Sequence, residues 1–446
     1  MKNKRNLLGK GESLFAKEPW KPRTVSSTQV YTIDQAKERL LPMLRRATSA
    51  SAVVREESCY SGKRTMAMRI HPSRISKSAM PSDTFKSFEL EILGSRGVEF
   101  VPDRSSKSRP PGADMDSLVE ESVELFVAGA QGSWEQLEQF AEGLSADDAE
   151  RSGIEEKLAD EFLSFEEIRF LTPEEKNGTT SDGNSKEVEI LLQQGDDPWG
   201  VIDHFTRFAR LVGFEIEDDR IIDVAGLFFI PVTVTEEQID AISRYSHVRF
   251  IRNAAELRVF NPVTGIRGVI NRAIQLPSDD KMSNDFRVAI FDGGLPDERF
   301  AAWVDHFDQT TSDPQTTTTS ASAEHGAAVT SAFLFGHMDD GANETPCPPC
   351  RVDHYRVIAD GDHDPYVVLR RITSVLKSRS YRLVNLSLGP EYAIVDDHID
   401  PWTASLDSFA SSGDCFIAVA AGNEGEADQE AGNHRIQPPS DGVNVI

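Results

Sequence analysis

The chain has few cysteines and lacks a long apolar stretch. Its four cysteines in 446 residues are too few and too scattered to form a disulfide scaffold. No apolar run approaches the roughly 20 residues that span a bilayer, and none follows the basic residues Lys2, Lys4 and Arg5 as in a secretory signal. We therefore expect a cytoplasmic protein with no membrane partner.

A recognisable metal motif is also missing. Cys347 and Cys350 have a metal-like spacing, but the two prolines between them fit a stiff surface loop, and no histidine stands at a zinc-ligand spacing from them. Five aspartates lie in scattered loop positions, which favours a solvated acidic rim over a calcium site. We expect no metal and no cofactor, and calcium is an alternative that no motif supports. The aspartates are Asp339, Asp340, Asp360, Asp362 and Asp364.

The charge is strongly acidic but unevenly distributed. The net charge is −26, whereas residues 1–80 contain 17 Lys and Arg against 6 Asp and Glu. A basic N-terminal segment on an otherwise acidic chain suggests nucleic-acid binding. However, these charges are dispersed, and no motif or aromatic series accompanies them. We therefore expect a solvated arm, or one that docks on the chain's own acidic surface, and no nucleic-acid partner.

Composition and patterning divide the chain into five segments. Residues 1–31 are predicted to be a basic disordered arm, and 32–112 a small α+β module whose first helix ends near a proline. Residues 113–186 are predicted to be an acidic helical region with a linker. Residues 187–283 are predicted to form a βαββαβ domain and a connector. Residues 284–446 are predicted to be the last domain.

The last domain has the pattern of a doubly wound α/β fold with a parallel sheet. Three nearly continuous apolar segments of strand length alternate with helical stretches, which is typical of strands buried on both faces. The predicted strands are Phe286–Phe291, Tyr381–Leu386 and Cys415–Val419. The predicted helices are Ala327–Phe335, Tyr366–Ser378 and Pro401–Ser411.

Small or polar residues follow each of these strands. Asp292 and two glycines follow the first, Ser387-Leu388-Gly389 follows the second, and Ala420-Ala421-Gly422-Asn423 follows the third. Since the carboxyl ends of parallel strands meet at one edge of the sheet, these residues are expected to lie close together. His325 precedes a small-residue segment, Gly326-Ala327-Ala328, that would let its helix pack closely.

These segments, in this order, resemble the subtilisin-like serine protease family, the subtilases or peptidase S8 family, over roughly residues 284–446. The resemblance implies that Asp292 orients His325, that His325 is the general base, and that Asn423 supplies the oxyanion-hole amide. It also implies that the residues after the second and third strands pair with an extended peptide substrate. Those residues are Ser387, Leu388, Gly389, Ala420, Ala421 and Gly422.

The sequence departs from the family pattern in one serious respect. The Gly-Thr-Ser motif that carries the nucleophile does not occur after Asn423, and Gly178-Thr179-Thr180-Ser181 lies in a polar linker before the Asp. The apolar run Asp441–Ile446 looks like the start of a core strand. We therefore expect the serine to lie beyond the end of this chain, and this chain alone to be inactive.

The function implied is a serine endopeptidase that cleaves protein substrates. The alternative is a non-catalytic module that holds peptides or a partner on a degenerate subtilase fold, and the N-terminal domains offer a surface for a partner protein. The βαββαβ unit at 187–256 has the layout of a subtilase propeptide, although an ordinary accessory domain fits equally well. If it is a propeptide, Leu257–Phe260 or the following linker would occupy the substrate edge in cis.

Overall fold

The structure is a computed structural model in which the described residues form two compact units. Described residues up to Ala254 form the first unit, and those from Ala255 onward form the second. Except for Val30 and Tyr31, the arm predicted at 1–31 lies outside the described residues. The structure describes residues 30–75, 80–103, 118–145, 153–180, 185–258, 275–277, 286–310, 320–336, 344–358, 363–394, 398–422 and 435–446.

The first unit contains two four-stranded antiparallel sheets. The strands of the first sheet are β1 (Lys63–Ile70), β2 (Glu91–Phe100), β3 (Glu120–Ala130) and β4 (Phe165–Phe170). Those of the second sheet are β5 (Lys186–Gln193), β6 (Ile222–Val224), β7 (Leu227–Val234) and β8 (Val248–Asn253). The strand orders are β2-β3-β1-β4 and β6-β7-β5-β8. Both sheets have the same topology: if the strands of a sheet are numbered along the chain, they lie side by side in the order second, third, first and fourth.

Helices follow the first and third strand of each sheet, so the second sheet has the βαββαβ order that the sequence predicts. The helices of this unit are α1 (Ile33–Ala52), α2 (Ser82–Ser87), α3 (Gln131–Gly143), α4 (Ile154–Phe162), α5 (Pro173–Lys176), α6 (Pro198–Val212) and α7 (Glu236–Ser243); α1 precedes β1, and α5 lies between β4 and β5. The first sheet takes strands from both sides of residue 112. The 32–112 and 113–186 segments both contribute strands to this sheet.

Two local predictions in this unit differ from the structure. Helix α1 continues through Pro42 to Ala52, because the burial of Leu44 and Ala47 beyond the proline offsets its cost of roughly 3 kcal/mol. Residues 120–130 and 165–170 lie in the region predicted to be helical but form β3 and β4. The buried Glu124 of β3 pairs with arginines of the same sheet, at 2.6 Å from Arg96 of β2 and 3.0 Å from Arg169 of β4.

The second unit is built on a five-stranded parallel sheet in the order β10-β11-β9-β12-β13. The strands are β9 (Arg287–Asp292), β10 (Val304–Asp308), β11 (Arg351–Arg356), β12 (Leu383–Leu386) and β13 (Phe416–Val419). The helices are α8 (Ser320–Phe335), α9 (Pro365–Ser378) and α10 (Pro401–Ala410). The α/β class with a parallel sheet is confirmed. Strands β10 and β11 were not predicted.

Strand order places a topological switch beside β9. The chain adds β10 and β11 on one side of β9 and then β12 and β13 on the other. In such sheets, ligands bind at the carboxyl ends of the strands next to the switch. The ends of β9 and β12 are therefore the expected position of a functional site.

The described residues contain no group of three or more His, Cys, Asp or Glu side chains placed to hold a metal ion. Cys347 is exposed and Cys350 is buried, and burial raises the pKa of the Cys350 thiol. No helix in the described part of the chain combines the length and apolar character that crossing a bilayer requires.

The second sheet of the first unit depends on an aromatic cluster around Phe205 of α6. This buried ring lies 4.9 Å from Tyr245 and 6.0 Å from Phe208 between ring centroids. We expect Phe205→Ala to lower the free energy of unfolding by about 3–5 kcal/mol, measured by urea denaturation. The matched control is Trp199→Ala on the same helix, because Trp199 is 79% exposed and its loss should change stability by less than about 0.5 kcal/mol. Equal losses would contradict this assignment of the core.

Candidate active site

Three strand ends meet at one edge of the parallel sheet. The register pairs Leu386 of β12 with Phe291 of β9 and with Val419 of β13. The residues that follow these three are Asp292, Ser387 and Ala420. The sequence-predicted aspartate and both predicted substrate-binding segments therefore lie at the same sheet edge.

Asp292 and His325 are in direct hydrogen-bond contact. Asp292 is fully buried at the end of β9, and its Oδ1 lies 2.8 Å from His325 Nδ1. The same oxygen accepts a hydrogen bond of 2.7 Å from the Gly293 N–H. When the carboxylate is ionised, Nδ1 must carry the proton and donate it. This contact fixes the tautomer in which the opposite nitrogen, Nε2, is the basic one.

Burial sets the electrostatics of this pair. Desolvation raises the pKa of Asp292 above its usual range, and the hydrogen bond from His325, its charge and the Gly293 N–H only partly offset this. The second carboxylate oxygen, Oδ2, is buried and has no hydrogen-bond partner among the described residues. The ionised carboxylate therefore depends on its Oδ1 contacts.

Glycines allow α8 to approach the turn after β9. A Cβ on Gly326 would lie 2.1 Å from the carbonyl oxygen of Gly294, and one on Gly293 would lie 2.7 Å from the carbonyl oxygen of Ser322. Gly294 itself has φ +101°, a conformation that side chains strongly disfavour. The helix backbone rests directly on the turn, which is what brings His325 within reach of Asp292.

A buried histidine on β11 also anchors α8, a role that the sequence did not indicate. His354 Nδ1 lies 2.9 Å from the hydroxyl of Thr330 on α8. Burial, with a smaller contribution from His306, lowers the pKa of His354 to about 3. It therefore remains neutral at physiological pH and serves as a packing and hydrogen-bonding residue.

The predicted substrate edges are partly paired with the chain itself. Residues 256–258 run antiparallel to 389–391: the Arg258 N–H donates to the Gly389 carbonyl at 3.0 Å and the Glu391 N–H to the Glu256 carbonyl at 2.8 Å. Leu257 forms the bridge with Pro390 between them. The edge after β12 thus accepts an extended strand.

Two of the remaining predicted site residues, Ala420 and Ala421, are held by backbone hydrogen bonds. Ala420 donates its N–H to the Leu386 carbonyl at 3.0 Å, and Ala421 accepts from the Gln437 N–H at 3.0 Å, so the segment after β13 is held beside that after β12. Asn423, the predicted oxyanion-hole amide, lies outside the described residues. The contacts of Gln437 and Arg258 at this edge had no signal in the sequence.

Comparison with known proteins gives a match to a family model. The model described as the subtilase family matches residues 231–446. Among solved structures, the chain is similar to "Structure of Prenylagaramide maturation protease PagA" at 19% identity and a TM-score of 0.22, over 33% of this chain and 49% of that chain. The match thus spans about half the length of that structure. No curated protein matches the chain.

Gly326→Ala tests the close approach of α8. An alanine normally stabilises a helix by about 1 kcal/mol relative to glycine, but here its Cβ would collide with Gly294. We expect a lower melting temperature and loss of the hydrogen-bonded His325 Nδ1–H signal in proton NMR. The control is Gly132→Ala in α3, where nothing lies within 4 Å of an added Cβ, and which should be neutral or stabilising. Stabilisation by both variants would refute the steric argument.

Asp292→Asn tests the burial of the carboxylate. Because the folded pKa is raised, the folded state binds the proton more tightly, and stability falls as pH rises from the unfolded pKa through the folded one. We expect the variant to melt at a higher temperature than the parent at pH 7, with the difference shrinking towards about pH 3.5.

Asp297→Asn is the control with the opposite sign. Asp297 is solvent-exposed, and hydrogen bonding to Arg299 lowers its pKa to about 2. This carboxylate contributes stability above its unfolded pKa that is lost as pH falls, and screening keeps the effect small. A higher melting temperature for Asp297→Asn, or an unchanged one for Asp292→Asn at pH 7, would count against these assignments.

Proposed function

We propose that the chain carries the aspartate and histidine of a serine endopeptidase that acts on protein substrates, since residues 231–446 match the subtilase family model. The observation that carries this proposal is the contact of 2.8 Å between Asp292 Oδ1 and His325 Nδ1. It lies at the carboxyl edge of a parallel sheet, beside two segments suited to pairing with a peptide.

Each residue has a defined role in the proposed reaction. His325 Nε2 removes the proton from a serine hydroxyl as the oxygen attacks the scissile carbonyl. The resulting imidazolium is stabilised by the buried Asp292 carboxylate and then donates its proton to the leaving amine. Asn423 is proposed to donate its side-chain amide to the oxyanion. The serine is proposed to lie in sequence that follows Ile446, so that this chain alone is inactive.

The substrate is proposed to bind as an extended strand along Ser387–Gly389 and Ala420–Gly422. Backbone hydrogen bonds would give affinity, and side-chain pockets between the two segments would give selectivity. The antiparallel pairing of residues 256–258 with the first segment supports this mode. No cofactor is part of the proposal.

The second βαββαβ unit is proposed to act as the propeptide-like part of the protein, assisting folding and limiting activity. Its topology, β6-β7-β5-β8 with two crossover helices, supports the proposal, as does its position immediately before residues 256–258. The first sheet of the same topology would then be available to a partner protein. We propose a cytoplasmic location for the whole protein.

The full-length gene product can be tested with a fluorophosphonate probe, which labels an activated serine. We expect one labelled serine in sequence that follows Ile446, with labelling slowed about 10²–10⁴-fold by His325→Ala, since the general base is removed. The matched control is His363→Ala, at an exposed position, which should label normally. A folded full-length protein that does not label would instead favour the non-catalytic peptide-binding module.

A further inference from the structure

The side chain of Arg258 enters a pocket of oxygen acceptors between the two peptide-pairing segments. Its Nε lies 3.4 Å from the Gly389 carbonyl, its Nη1 3.2 Å from Gln437 Oε1, and its Nη2 3.3 Å from the Ala420 carbonyl and 3.4 Å from the Pro438 carbonyl. Each acceptor comes from the second unit, as does Arg258 itself.

The backbone is shaped around this guanidinium. A Cβ on Gly389 would lie 2.3 Å from Arg258 Nη2 and 2.5 Å from the Pro438 oxygen, so any side chain there would close the pocket. Gln437 is 3% exposed, and its N–H donates to Ala421. That hydrogen bond fixes the backbone at Gln437 beside the segment after β13. The buried Gln437 side chain is therefore held in place as an acceptor, and the pocket is not a chance surface contact.

The set of contacts matches the chemistry of arginine. A guanidinium has five N–H donors in a rigid plane and no acceptor, whereas the four pocket atoms are all oxygens that accept. The compact ammonium of lysine would reach fewer of these separated oxygens. Desolvation lowers the pKa of Arg258, and the charge of Glu391 opposes that shift. The guanidinium stays protonated because its pKa starts far above neutrality.

We propose that Gly389, Ala420, Gln437 and Pro438 form an arginine-selective side-chain pocket, and that Arg258 is its occupant from the same chain. The proposal rests on the proposed function, because it names the substrate side chain that the cleft between the two peptide-pairing segments would select. Substrates would present an arginine within an extended stretch, in competition with residues 256–258.

Hydrogen exchange measured on this chain tests the pocket. In Arg258→Ala, we expect the amides of residue 258 and Glu391 to exchange about 10–100-fold faster, because hydrogen bonds to a charged group are lost. Arg258→Lys should restore only part of the protection. The control is Arg382→Ala at an exposed position, and unchanged exchange within β12 will show that the fold is intact. Unchanged exchange at Glu391 in Arg258→Ala would overturn the proposal.

Selectivity is tested by adding peptides to Arg258→Ala. N-acetyl-leucyl-arginine amide should restore protection at Glu391 and bind at least tenfold more tightly than its citrulline counterpart, which lacks the charge. The norleucine counterpart should not bind. Equal binding of the three peptides would refute selectivity for arginine.

These measurements need no nucleophile, so they separate the two proposals. A full-length protein that fails to label with fluorophosphonate, but whose pocket prefers arginine, would overturn the peptidase function alone. A full-length protein that labels and cleaves proteins without preference for arginine would overturn the pocket's selectivity alone.

Discussion

The close contact between helix α8 and the turn after β9 is the constraint on which the candidate site depends. An imidazole can donate to a carboxylate at the end of a strand only if the two backbones come unusually near. Here the Gly326 Cα lies against the Gly294 carbonyl with no room for a methyl group. Glycine thus costs the helix intrinsic stability but sets the distance that defines the Asp292–His325 pair.

Burial of the same carboxylate links stability to chemistry. Removing Asp292 from water raises its pKa, which means that the folded state is less favourable with the charge present. The low-dielectric surroundings that impose this cost also strengthen the interaction with an imidazolium. A buried carboxylate of this kind lowers the stability of the fold at neutral pH. Strongly perturbed carboxylates of this kind cluster at functional sites.

The sequence predicted those parts of the second unit that depend on local pattern. Strands β9, β12 and β13 were recognised because nearly continuous apolar residues cover both faces of a parallel sheet. Strand β11 was missed because its polar residues are paired at long range: Tyr381 donates to Asp353 Oδ2 at 2.5 Å, and Arg356 lies 3.0 Å from Asp308. Buried polar residues that pair with distant partners leave no periodic pattern in the sequence. For the same reason β3, which contains the buried Glu124, was not predicted.

Backbone carbonyls are the other feature that a sequence conceals. The acceptors around Arg258 are mostly main-chain oxygens, and every residue type supplies one, so only the path of the chain after β12 and β13 makes them converge. That convergence also bears on why the edge is covered. An unpaired strand edge invites pairing with other chains, and residues 256–258 satisfy it from within. Under the proposed function the same edge pairs with substrate, so residues 256–258 would have to leave it before an extended peptide could bind there.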